Sequence, residues 1–167
     1  MTAIIALKKP LLDADGLNLE ISKLDFARLK HKYTQSSEAE MTAEQWDAAE
    51  LEYRRFLTLK SLYPSVSLVP SKQIDSIWHA HILDTRAYRE DCHQVFGRFI
   101  DHYPYFGIYG EEDYQNLKNA FAHTVALYVE HFGAYPGGGK EEQAMRCQDH
   151  ACHVPTECAC RVEGACK

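Results

Sequence analysis

The sequence predicts an all-α fold: a single compact helical domain of about five helices, followed by a flexible Cys-rich C-terminal tail. Three observations predict it. Apolar residues recur at three- and four-residue spacing over long stretches. Capping residues and glycines punctuate those stretches where helices should start and stop. The one extended run, Ser65–Pro70, is too short and isolated to build a sheet.

The elements follow in order. Leu17, Ile21, Leu24 and Ala27 or Arg28 recur at helical spacing, with Phe26, Leu29 and Tyr33 widening the stripe, so Leu17–Tyr33 reads as one helix. Thr34–Met41 is a polar loop. Thr42 lies three residues before Gln45, the spacing of a capping box, and opens a helix whose face carries Trp46, Ala49, Tyr53, Phe56 and Leu57 until Pro64 ends it. Ser71 is an N-cap for a helix from Lys72 to about Leu83, and Asp84 for the next, from Thr85 to Phe96, with Gly97 as its C′ residue. Arg98–Gly110 is an aromatic loop expected to pack down on the body. Glu111–Phe132 is the longest helix, its acidic first turn suited to the positive end of the helix dipole and its apolar face running from Tyr114 to Phe132. The Pro136–Gly139 run reads as a flexible linker. The expected division is therefore a helical domain over 1–135, a Gly-rich linker over 136–140 and a Cys/His-rich tail over 141–167.

Composition excludes several function classes. A net charge of −6 with no Lys/Arg cluster argues against a nucleic-acid or anionic-membrane surface. No apolar run approaches spanning length, and Met1–Leu7 is followed at once by Lys8 and Lys9, the wrong order for a signal peptide. A cytoplasmic location is the expectation. Nucleophile-elbow, phosphate-loop and dinucleotide fingerprints are missing.

The chemistry concentrates in IDSIWHAHILDTRAYREDCHQVFGRFIDHYP. Asp75 and His79 are four apart and share a helix face. His79 and His81 are two apart, roughly 200° around a regular helix, and so are alternatives rather than partners in one site. If the two helices flanking Asp84 pair tightly, Cys92 comes to a similar depth as His79, and His102 from the following loop closes the set. Asp75 is then a fourth ligand, or it accepts a hydrogen bond from a liganding histidine. Two His, one Cys and a carboxylate suit Zn²⁺, with iron or copper as alternatives. Set against this is a structural reading, in which the histidine and Cys92 are core residues and Asp75 holds His79 in one tautomer.

The run Asp75-x-x-Trp78-His79, Ile82-Leu83, Thr85, Tyr88, Cys92, Phe96-Gly97-Arg98-Phe99 and His102-x-Pro104 resembles the glycine-rich domain-containing protein-like family, in its bacterial branch. The bacterial pattern has paired histidines before the proline, and Asp101 stands here in place of the first. Plant members carry a histidine at the position of His81 and none at that of His79. A site common to both branches would therefore make His81 the ligand and His79 an accessory. The resemblance implies no reaction.

In the tail, Cys147, His150, Cys152, His153, Cys158, Cys160 and Cys166 supply seven soft or borderline ligands. Cys158-x-Cys160 is a chelating pair, but the set lacks paired C-x-x-C zinc knuckles and any iron–sulfur spacing. Thiolate-rich peptides of this kind suit Zn²⁺ or Cu(I). The functional expectation is a metal-binding helical protein whose tail captures or delivers a soft metal. The alternatives are a metal-dependent enzyme using the body site, and an interaction module that meets a protein partner through the aromatic loop Tyr103–Tyr109 and whose tail is modified.

Overall fold

A computed structural model describes residues 10–144 and shows a compact helical domain. Six α-helices, α1 (Leu19–Ser22), α2 (Ala27–Gln35), α3 (Ala43–Leu62), α4 (Lys72–Leu83), α5 (Thr85–Phe96) and α6 (Glu111–Phe132), are followed by two short 3₁₀ turns. Among the described residues there are no strands, only two isolated bridges. The expected tail ligands Cys147, Cys152, Cys158, Cys160 and Cys166 lie outside the described residues. None of the described helices is long and apolar enough to cross a membrane.

α3 is the central element, packed against α1, α2, α4 and α6. Its start is the expected capping box: Thr42 Oγ1 accepts from Gln45 N at 3.2 Å, and Gln45 Oε1 accepts from Thr42 N at 2.8 Å. Trp46, Tyr53, Phe56 and Leu59 of this helix are buried with Ile77 of α4 and Leu117, Phe121 and Tyr128 of α6. Those large side chains form the one core that holds the helices together.

Leu17–Tyr33 is not one helix. The chain leaves α1 after Ser22 and re-enters at Ala27. The Arg54 guanidinium braces the break by donating to the carbonyl oxygens of Ile21 and Leu24, the first of which also accepts from Leu24 N, while Asp25 Oδ1 accepts from Ala27 N. Phe26, buried in the gap, lies under the same guanidinium. The apolar stripe was real, but a cation from another helix supplied better partners for the backbone than continued helix did.

The α4–α5 hairpin follows the sequence closely. Ser71 Oγ accepts from Ile74 N, and Asp84 closes α4 and caps α5 through Ala87 N. Gly97 takes the left-handed C-terminal position with φ of 68°. The extended run before α4 is tied to α6 by Val69 N donating to Thr124 Oγ1 at 3.0 Å.

The Gly-rich run is docked rather than loose. Tyr135 is buried against Phe121 and Tyr128, and Ala144 bridges back to Ser71. Gly139, at φ 67°, lies so close to α6 that a Cβ there would meet Val125 at 2.6 Å. Residues 136–144 thus lie against α6 and the start of α4.

Candidate metal centre

α4 sorts its polar side chains by face. Asp75, Trp78 and His79 stand at i, i+3 and i+4 on one stripe; His81 points to the other side, as the two-residue spacing requires. His102 comes from the loop after α5. A short relay sets that loop: Trp78 Nε1 donates to Tyr88 Oη at 2.9 Å, and Tyr88 Oη donates to the Ile100 carbonyl at 2.6 Å. Ile100 is buried, and two residues later the His102 ring meets the indole of Trp78 edge-on at 4.6 Å.

The result is a convergence of three side chains. His102 Nε2 lies 2.8 Å from Asp75 Oδ1, His79 Nε2 lies 3.3 Å from Asp75 Oδ2, and the two Nε2 atoms face each other at 3.1 Å. Asp75 is only 1% exposed, whereas the side chains of His79 and His102 are 29% and 18% exposed. A buried carboxylate thus sits at the base of the cluster, and the imidazoles open toward solvent. Two facing imidazole nitrogens can hydrogen-bond directly only if one carries a proton and the other does not. A cation between them would satisfy both nitrogens and the carboxylate together. A tetrahedral ion with Zn–N bonds of ~2.0–2.1 Å places neighbouring ligand atoms roughly 3.3 Å apart. The Nε2–Nε2 separation of 3.1 Å is close to that value, and each imidazole nitrogen approaches a different oxygen of the Asp75 carboxylate, which would face the ion between them.

His81 is a different kind of residue. It is 2% exposed, with Nδ1 on Tyr53 Oη and Nε2 on Asp91 Oδ2, each at 3.0 Å. The rings of Phe26, Tyr53 and Tyr88 enclose it edge-on. With both nitrogens engaged it is a core histidine. The fold thus brings His79, not the expected His81, beside Asp75 and His102.

Cys92 also stands outside the cluster. It faces Tyr88, one helical turn earlier, and the Ile100 backbone N–H rather than His79. Its thiol is buried, and burial pushes its pKa up. Depth was predictable from counting residues out of the turn; the facing direction depended on how α5 rotates about its axis. The candidate ligand set that the fold brings together among the described residues is Asp75, His79 and His102, two imidazoles and one carboxylate. Sequence reading missed the support around it. Tyr88 positions the His102 loop, and Tyr53 and Asp91 occupy His81. For Tyr88 a signal existed, since an aromatic hydroxyl one turn before Cys92 lies on the hairpin's inner face; for Tyr53 and Asp91 there was none.

Fold and cluster together define a helical protein with a candidate two-histidine, one-carboxylate metal centre. A family model named UCP032817-like matches residues 18–127, about two thirds of the chain, and the chain belongs to that family. This overturns the resemblance to the glycine-rich domain-containing protein-like family. That resemblance rested on a short signature, and several of its residues, among them Trp78, Tyr88 and Cys92, are core positions of the α4–α5 hairpin. The matched span includes all three cluster residues and stops before the Cys-rich tail. No curated protein and no solved structure matches the chain.

Proposed function

We propose that this is a metal-binding protein whose body holds a divalent ion, zinc first, between Asp75, His79 and His102. The observation that carries the reading is the convergence of two Nε2 atoms and a buried carboxylate within 2.8–3.3 Å of one another. Nitrogen and oxygen ligands suit Zn²⁺ or Fe²⁺; without Cys92 in the set, Cu(I) loses its soft ligand in the body. In the same reading the Cys-rich tail captures or delivers a soft metal, and a cytoplasmic, reducing compartment keeps its thiols available.

A second reading, a metal-dependent enzyme, draws support from the number of ligands. Three protein ligands with half-open imidazoles leave a coordination position for water, as in catalytic rather than closed structural zinc sites. The exposed rings of Tyr103, Tyr105 and Tyr109 beside His102 would then serve as the surface a substrate or partner meets.

Elemental analysis of the full chain beside a His79→Ala/His102→Ala double variant tests the proposal. The account expects the double variant to carry about one ion per chain fewer. Equal metal content in both would sink it, whatever the tail binds.

A further inference from the structure

A second constellation also touches Trp78. The Lys60 ammonium sits over the rings of Trp78 and Phe56, at 5.2 and 5.5 Å from their centroids. It faces a cavity of about 590 Å³, within the roughly 300–1,000 Å³ range of small-molecule sites. Arg98 and His131 line the same cavity; Tyr63 Oη and His131 Nε2 are 2.7 Å apart. Leu62, Val95 and Phe96 supply apolar wall. Among the described residues no Asp or Glu lines the space, and the neighbouring charge acting on Lys60 is the repulsive one of Arg98.

A partly buried ammonium and an exposed guanidinium beside a histidine, in a space with no carboxylate on its lining, make a positive pocket that an anion would complement. Burial and the Arg98 guanidinium push the Lys60 ammonium down to about 8, the direction such crowding produces.

We propose that this cavity binds a small organic anion, its carboxylate or phosphate held by Lys60 and Arg98 and its apolar body lying against Leu62, Val95 and Phe96. The site is separate from the metal cluster: none of Asp75, His79 and His102 lines this cavity. Arg98 supplies a second, planar pair of donors that fits either oxyanion. The neutral apolar wall selects against bare inorganic anions.

The test is calorimetric titration of the full chain, with and without a chelator, using hexanoate, phenyl phosphate, inorganic phosphate and hexanol. One of the two organic anions should bind, and which one identifies the headgroup. Inorganic phosphate should bind at least tenfold more weakly, and hexanol not at all. Lys60→Met and, separately, Arg98→Gln should each weaken the organic anion at least tenfold. Arg98 is exposed, so its replacement leaves the fold intact should Lys60→Met alter packing. Silence from both organic anions, binding by both variants as tight as that of the unaltered chain, or binding abolished by the chelator would overturn the proposal. The last result would put the anion on a metal.

Discussion

Two histidines of α4, only two residues apart, occupy opposite kinds of surroundings. His81 is sealed among three aromatic rings, and each of its nitrogens has a partner of its own, Tyr53 and Asp91. His79 keeps part of its ring in water, and its Nε2 shares one point with Asp75 and His102. The first arrangement uses an imidazole as a polar brace in a core, where every hydrogen bond must be made. The second leaves three ligand atoms competing for the same space, which is how a cation site looks. Burial and convergence, rather than residue type, separate the two.

The comparison can be broken most forcefully at His81. His81→Ala leaves a cavity and strips the buried Tyr53 hydroxyl and Asp91 of a partner, so it should cost about 3–5 kcal/mol in urea unfolding. His79→Ala, at a half-exposed site, should cost under about 1 kcal/mol in the metal-free protein. A reversed order of these losses would mean that the faces have been misassigned.

Asp75→Asn sharpens the other side. It keeps the shape but removes the charge that faces both imidazoles, and zinc affinity in the body should fall roughly 100-fold or more by competition with a chelating dye.

A smaller effect is expected at Lys60. The unfolded chain holds a lysine proton up to about 10.5, while the folded protein releases it near 8. Stability should therefore rise with pH across that interval. Above about pH 10 the buried hydroxyls of Tyr88 and Tyr128, held above their ordinary range by burial, should reverse the trend. Lys60→Met should flatten the rise and stabilise the protein near neutrality by about 1–2 kcal/mol, limited because the ammonium still meets water on one side. A steep rise from pH 8 to 10 that survives the substitution would contradict this.

The smallest change should come from Cys92→Ser. Zinc affinity in the body should stay within about twofold, with a stability loss of about 1 kcal/mol from burying a hydroxyl in place of a thiol. Loss of metal would return Cys92 to the ligand set.

Much of the fold was legible because local chemistry decided it. The Thr42–Gln45 capping box, the Asp84 double cap and the Gly97 terminus each stand where spacing predicts them. The break between α1 and α2 was not legible, because Arg54, some thirty residues further on, makes it. The candidate site divides in the same way. Asp75 beside His79 follows from a single helix turn. His102 arrives through the Trp78–Tyr88–Ile100 relay, and Cys92 is turned away by the rotation of α5; both are tertiary facts that spacing does not contain.

The most direct measurement of the central claim is ¹⁵N NMR of the histidine side chains in the full chain during addition of zinc. The account predicts that the His79 and His102 Nε2 signals shift together and saturate at one common equivalent, while both His81 nitrogens stay in place. Zinc uptake that leaves the His79 and His102 signals unmoved, or that moves His81 first, would contradict it.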